Sequence, residues 1–428
     1  GQGPASSNDD PWPVAQPLTG VRVLDLCRVW AGPMAARILA ELGAEVIQVE
    51  APWGRGPKRI PDSLVEATRL YPDNDQGTCQ WNRNGHLIKY GLHKKSVVLD
   101  LTQERGAATF ERLAAGSDVV IENYSPRVMP QLGLDEHRLH EVNPALIYMT
   151  MPGYGRSGPA VDWVAYGTTV DSHAGLSHLI GYPGQVPWKN GVAWPDPVAG
   201  LHAASAILIA LWRRGHDGGT TIEGAQFEAT LTLAGDALVE AQLQGRNPPV
   251  LGNRHRTGAP QGVYPAVGHD RWLALSVLDD DGWAALVAEA RLPADLGRLD
   301  VDGRRDRHDE LDAVLARWTA QHDPVTLANR LQELGVAAAP VLDAPGLLAD
   351  PQLAARNALC TVDQPEAARF RNARLPVRFT TRPDPEPLRP AALLGEHNIE
   401  VLTEVAGLSR AEIAALEADG IVATEPPL

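Results

Sequence analysis

Trp194-Pro195-Asp196-Pro197 places a carboxylate between two prolines at the head of an apolar run that extends through Trp212 and closes on Arg213, Arg214 and Gly215. This punctuation reads as a buried helix with Asp196 at its N-cap, Pro197 at its first position and Gly215 just beyond its basic end. A carboxylate there faces unpaired N–H groups and the positive end of the helix dipole, and both favour the ionised form. Asp196 is therefore expected to be an anion at neutral pH and a candidate nucleophile. Taken alone, the same residues read more readily as a purely structural cap, because Asp is among the preferred N-cap residues and Asp-Pro is an ordinary helix start.

The elements that would position this carboxylate follow from the hydrophobic pattern. Val21 to Leu26 reads as a strand, Ala31-Gly32-Pro33 as a turn, residues 34 to 42 as a helix ending at Gly43, and Val46 to Glu50 as a second strand. Strand, helix and strand within about thirty residues make a βαβ unit and hence a parallel sheet. The pattern repeats with strands at 96–101, 118–122 and 145–150 and a helix at 103–115. That alternation predicts an open, Rossmann-like α/β domain. Residues 51–91 read as irregular, rich in Pro, Asn, Asp and Gly, and carry Arg55, Lys58, Arg59, Arg69 and Arg83. From Thr220 the texture changes: a helical stretch at 226–244, a loop from Gly245 to Gly262, a strand at 272–277, and helices at 308–320 and 325–334. These predict a second, smaller α+β domain. A Pro- and Arg-rich stretch near 363–391 leads into a last helical segment, 397–417. The expected boundaries are 18–215 for the large domain, 235–345 for the small one, 346–391 for a return linker and 392–428 for a closing segment.

Composition narrows the partners. A chain of 428 residues with a formal charge of −15 is poorly suited to nucleic acid or anionic membranes, since both require summed positive charge. An anionic ligand would need a local basic pocket. Cys27, Cys79 and Cys360 are odd in number and widely spaced, which fits a reducing cytoplasm. The opening GQGPASSNDDPWPVAQP has no basic or apolar leader pattern, and the run from Val198 to Trp212 is too short to span a bilayer. These features predict a soluble, cytoplasmic protein. Residues 153–158, GYGRSG, match G-x-G-x-x-G, but Pro159 and VDWVAYG do not supply the helix that a pyrophosphate requires. His137, His140 and His255 form no metal-ligand pattern, and neither a G-x-S-x-G elbow nor a Walker A sequence is present.

Taken in order, VRVLDLCRVWAGPMAARILAELGAEVIQVE, KKSVVLDL, DVVIENYSP, LGLDEHRLHEVNPALIYMTMPGYGRSGP, AYGTTVDSHAGLSHLIGYPG, GNRHRTGAPQGVYPAVGHDRWLALSV, LGVAAAPVLDAPGLLADPQLAARN and LGEHNIEVL resemble the class III coenzyme A transferase family over nearly the whole chain. That group includes formyl-CoA and carnitine CoA-transferases and the α-methylacyl-CoA racemases. The resemblance implies that Asp196 is the family's catalytic aspartate. It would pass CoA from an acyl-CoA to a carboxylic acid through mixed anhydrides and an aspartyl-CoA thioester, with CoA as substrate and no prosthetic group or metal. Val29, Ala31, Leu99, Asn123, Tyr124 and Tyr154 fall on positions that line the family's CoA site. Arg28, Lys94, Lys95 and Arg127 are candidate phosphate partners, and the loop with Gly258, Ala259 and Gly262 is a candidate source of oxyanion donors. The family's architecture implies a Rossmann-like large domain, a small domain, and a homodimer of two chains interlinked as rings.

Several positions depart from the family pattern. Trp30 replaces a glutamine found in some transferases, Gln131 replaces a common arginine, and the multi-glycine loop is reduced to Gly258-Ala259-Pro260-Gln261-Gly262. The racemases' histidine and glutamate fall on Tyr166 and Asp279, and a tyrosine is a poor base at neutral pH. The insertion at 51–91 and the loop with Trp188 and Trp194 are expected to shape a larger, less polar acyl pocket. Two alternatives stay open at this point: an acyl-CoA racemase or isomerase, and a non-catalytic CoA-binding subunit.

Overall fold

The computed structural model describes residues 16–380 and 387–427. Most of the N-terminal stretch, and part of the Pro- and Arg-rich segment, lie outside the described residues. The chain divides into two compact units: residues 1–175, 190–235 and 355–428 form the first, and residues 176–189 and 236–354 the second.

The first unit is built on a six-stranded sheet of β1 (Arg22–Asp25), β2 (Glu45–Glu50), β3 (Lys95–Val98), β4 (Val119–Glu122), β5 (Ile147–Thr150) and β6 (Thr220–Glu223). The order is β3-β2-β1-β4-β5-β6 and every pairing is parallel. Its helices include α1 (Ala31–Glu41), α2 (Asp62–Thr68), α3 (Gly85–Tyr90), α4 (Glu104–Ala115), α5 (Val128–Gln131), α6 (Glu136–Val142), α7 (Gly167–His173) and, after the short α8 (Leu176–Leu179) of the second unit, α9 (Pro195–Asp217). The strands are apolar at successive positions because both faces are covered. Val23, Val46, Val119, Ile121 and Ile147 pack with α1 and α9 residues, while Leu24, Ile47, Val97 and Val120 pack with α4 and the closing segment. That segment contributes Val401, Leu402, Ile413 and Leu416, and Asn398 Oδ1 accepts the Val98 N–H at 2.8 Å.

Several sequence expectations shift. Ala31-Gly32-Pro33 is the first turn of α1, not a preceding turn. Residues 51–91 hold α2 and α3, the latter capped by Asn84 Oδ1, which accepts the His86 N–H at 2.9 Å. The helix expected at 397–417 is two, Asn398–Glu404 and Arg410–Ala418, and the second starts on a Ser409/Glu412 capping box. The stretch 226–244 is broken by a turn of 3₁₀ helix at Thr232–Ala234. The apolar run is longer than its punctuation implied: α9 has 23 residues, ends at Gly218, and is long and apolar enough to cross a membrane by length and composition. Its Ala199, Gly200, Ala203, Ala204 and Ile207 are buried, as in the core helix of a globular domain.

The second unit is a three-stranded antiparallel sheet, β7 (Gln261–Pro265), β8 (Trp272–Ser276) and β9 (Ala337–Val341), in that order. Leu273 and Leu275 of β8 pack against Trp283, Leu286, Leu311, Leu315, Leu327 and Leu331 from the helices at Asp280–Ala290, His308–Thr319 and Pro324–Glu333.

Candidate active site

Asp196 lies two residues deeper in its helix than its sequence suggests. Trp194 occupies the cap position without a capping side chain, Pro195 begins α9, and Asp196 is in the first turn. Its carboxylate is buried, with only 7% of the residue exposed. Burial is the largest influence on its acidity and pushes the pKa from 3.8 up to about 6, against the opposing pull of the Ala31 N–H and its own N–H. The helix start does favour the anion, as the sequence implied, but desolvation outweighs it. The group is an anion only above about pH 6.

Small residues bring the Ala31 N–H to this carboxylate. A Cβ on Gly200 would stand 2.6 Å from the Ala31 carbonyl oxygen, so α1 and α9 cross at a separation that only glycine permits there. On the other side Gly167 opens α7 directly against the acid. A Cβ at this position would overlap Asp196 Oδ2 and stand 3.1 Å from its Cγ. The segment before α9 is tied to α7 through Asn190 Nδ2, which donates to Asp171 Oδ1 at 2.9 Å.

Asp196 opens into a cavity of about 300 Å³ with walls from Arg28, Val29, Asn123–Arg127, Pro152–Tyr154, Val161–Gly167 and Gln226. Most of these residues follow the carboxyl ends of β1, β4 and β5, and the strand order reverses between β1 and β4. A crevice outside the strand ends at such a reversal is where open α/β sheets bind ligands. Asn123 holds the β1–α1 connection from both sides: its Oδ1 accepts the Arg28 N–H at 2.8 Å and its Nδ2 donates to the Arg28 carbonyl at 2.9 Å. The next residue, Val29, is 71% exposed and has φ 68°. A β-branched residue in the left-handed region is strained, and strain of this kind collects at ligand sites. Tyr124 is fixed by its N–H on buried Glu122 at 2.7 Å. Tyr154 packs among Trp163, His173 and Phe227, with ring centroids 5.5 to 5.7 Å away. The exposed guanidinium of Arg127 has no partner among the described residues, so a cation is available in this cavity.

The remaining candidates have other surroundings. Leu99 is fully buried in the core, so its side chain lines no cavity. Ala31 is buried as well and contributes through its backbone alone. Lys94 is not a phosphate partner: its Nζ is buried and donates to Asp25 Oδ2 at 2.8 Å and to the Pro33 carbonyl at 2.9 Å. Breaking such a pair leaves a buried charge, at a cost of about 3–5 kcal/mol. Lys95 starts β3, at the end of the sheet opposite the cleft, and is committed to Glu45 and Glu400 at 2.6 Å each. Gly258, Ala259 and Gly262 belong to the second unit, where Ala259 is buried, its carbonyl accepts Arg304 Nε at 2.8 Å, and Gly262 lies within β7. Trp188 also belongs to that unit, and Trp194 is not on the wall of the Asp196 cavity. In GYGRSG, the Arg156 N–H donates to Glu223 Oε1 at 2.6 Å, and no helix begins before Gly167.

Sequence reasoning missed Gly167, Gln226 and Tyr90. Gln226 is a buried polar residue in the wall of the cavity. Tyr90, at the end of α3, is close enough for the charge on Asp196 to act on its hydroxyl. Only α3 carried a readable signal, the Asn84 cap within Asn82-Arg83-Asn84-Gly85.

A family model described as CoA-transferase family III matches residues 18–398. The chain is 29% identical to the succinyl-CoA–D-citramalate CoA-transferase of Chloroflexus aurantiacus, over 95% of this chain and 98% of that protein. It is 31% identical to the succinate–glutarate CoA-transferase of Agrobacterium fabrum, over 92% and 97%. Among solved structures it is similar to a CAIB/BAIF family protein from Brucella suis, with a TM-score of 0.78, 28% identity, and coverage of 93% of this chain and all of that one.

Proposed function

Because the chain belongs to CoA-transferase family III, we propose that it transfers coenzyme A from an acyl-CoA to a carboxylic acid with Asp196 as the nucleophile. The carrying observation is a buried carboxylate, with a pKa near 6, that faces a cavity at the reversal point of a parallel sheet. An Asp196 carboxylate oxygen attacks the thioester carbonyl, the C–S bond breaks, and a mixed anhydride forms as CoA thiolate leaves. The thiolate then attacks the aspartyl carbonyl, the donor acid departs, and an aspartyl-CoA thioester remains. The acceptor carboxylate repeats the sequence in reverse. Each step keeps the acyl group activated, which is what a covalent relay achieves. The Ala31 N–H, already on the carboxylate, is placed to donate to the oxyanion that forms when the aspartyl carbonyl is attacked.

The strand order of the first unit is that of doubly wound nucleotide-binding sheets, which supports a Rossmann-like reading. CoA would occupy the Asp196 cavity, with Arg127 toward its phosphates. Tyr166 is exposed on the cavity wall and carries no base chemistry at neutral pH, so racemisation is the weaker reading.

Two relatives are named for succinyl-CoA or succinate, which makes succinyl-CoA with glutarate a reasonable first pair. Initial rates over both concentrations should give parallel double-reciprocal lines, the signature of a covalent relay. Donor kcat/KM should be level above pH 6 and fall about tenfold per pH unit below it, because protonated Asp196 is not a nucleophile. Intersecting lines, or a flat profile down to pH 4.5, would contradict the mechanism.

A homodimer is part of the same reading. On α9 of the first unit, Leu201, Ile209 and Trp212 are exposed, and in the second unit Leu238, Val239 and Leu243 of the helix Gly235–Gln244 are exposed as well; apolar residues of this kind suit a permanent interface. Light scattering should give the mass of two chains; the mass of one would remove the dimer from the account.

A further inference from the structure

A second cavity of the first unit, about 210 Å³, lies on the other side of the Arg28-Val29 connection. It is walled by Pro33, Glu50, Arg55, Trp81, Asn84, His86, Leu87 and Tyr90, and shares Arg28 and Val29 with the Asp196 cavity. Two observations tie it to the nucleophile. Tyr90 feels the charge of Asp196. Its ring also packs 5.9 Å from that of Trp30, the residue immediately before the Ala31 N–H that faces the carboxylate. A group held here would be adjacent to a thioester reacting at Asp196.

The charges around this cavity are unequal. Glu50 is fully engaged, by Arg55 at 2.6 and 2.8 Å and by Ser96 Oγ at 2.7 Å. Asp25 is held by Lys94, and Glu41 by Arg37 at 2.7 Å. Among the described residues Arg28 makes no salt bridge: its guanidinium reaches the Cys27 and Val49 carbonyls, at 3.2 and 3.4 Å, and feels the charges of Glu50 and Asp25 at longer range. Outside the wall, Lys89 Nζ stands over the Trp30 and Tyr90 rings, at 5.3 and 4.9 Å. The indole N–H of Trp81 is buried without a partner. In a chain of net charge −15, the wall carries two guanidiniums against one carboxylate, set among Trp81, Leu87 and Tyr90. Its volume exceeds the ~150 Å³ that accommodates a benzene ring, enough for a short methylene chain and one further carboxylate.

Building on the Asp196 reading, we infer that this cavity is the acyl subsite and selects dicarboxylic substrates, with the Arg28 guanidinium holding the carboxylate distal to the thioester. Asp196 then reacts at one end of the acyl group while Arg28 fixes the other. A charge-assisted pair of this kind discriminates strongly against a methyl-ended analogue, because the guanidinium would otherwise stay unpaired.

The test compares wild-type labelling rates at Asp196 with succinyl-CoA, glutaryl-CoA, butyryl-CoA and valeryl-CoA. The carboxylate-ended esters should react at least about 30-fold faster in kcat/KM than the methyl-ended ones. Arg28→Met should bring that ratio to near one, and Arg28→Lys should retain part of it. A wild-type ratio near one overturns the inference and leaves the transferase reading intact. Equal loss on all four esters in both variants, with the ratio preserved, also overturns it and returns Arg28 to the CoA phosphates. If no ester labels Asp196 in the wild type, the nucleophile assignment fails, and the acyl subsite with it.

Discussion

Replacing Asp196 with asparagine is expected to lower CoA transfer by about 10⁴-fold or more, because an amide cannot form the anhydride and the relay loses its only covalent carrier. The same change should make the protein more stable at neutral pH. The folded pKa of about 6 lies above the ordinary 3.8, so the native state holds this proton more tightly than the unfolded chain. The resulting stability is fully present below about pH 4 and is lost as the pH rises through about 6. At pH 7 the buried anion therefore costs the fold about 1–3 kcal/mol, which the asparagine removes. Chemical denaturation at pH 5 and pH 7 checks this: the wild type should lose stability between the two, and Asp196→Asn should lose less. An inactive variant that is also less stable at pH 7 would indicate a structural cap, the simpler reading of the sequence.

Gly167→Ala should be nearly as damaging. Its added methyl would overlap Asp196 Oδ2 and stand 2.8 Å from the Ala193 side chain, at the junction where α7 meets the start of α9. The carboxylate must turn or α7 must move, and a misplacement of about 1 Å in a reacting group costs roughly 10²-fold in rate. The expected result is a drop of that size or larger in kcat, in a protein that still folds, since the strain falls on one side chain and a helix start. Activity within about threefold of the wild type would show that the carboxylate is not held where the structure places it.

These two residues also show what the sequence could disclose. Asp196 was legible because two prolines and a long apolar run mark a helix start from local residues alone. The direction of its pKa shift was not, because desolvation depends on α1 and α7 closing around it. Gly167 gave no signal: its backbone angle is ordinary, and its role exists only because α9 approaches it. The strands β1 to β5 were readable to within a few residues because their two buried faces make them apolar at successive central positions. Lys94 and Lys95 misled for a related reason. Adjacent lysines before a strand look solvent-facing, yet Lys94 is paired in the interior with Asp25, 69 residues earlier. In the 51–91 segment, its turn-rich composition concealed α3, the element that carries Tyr90 toward Asp196.

The central claim is that Asp196 becomes covalently attached to CoA. The most direct measurement is mass spectrometry of wild type and Asp196→Ala after brief incubation with succinyl-CoA, with hydroxylamine added to a parallel sample. The account predicts a CoA adduct on the peptide carrying Asp196, its conversion to a hydroxamate by hydroxylamine, and neither product in the variant. CoA transfer proceeding in the wild type without any adduct or hydroxamate at Asp196, or at an undiminished rate in the variant, would contradict it.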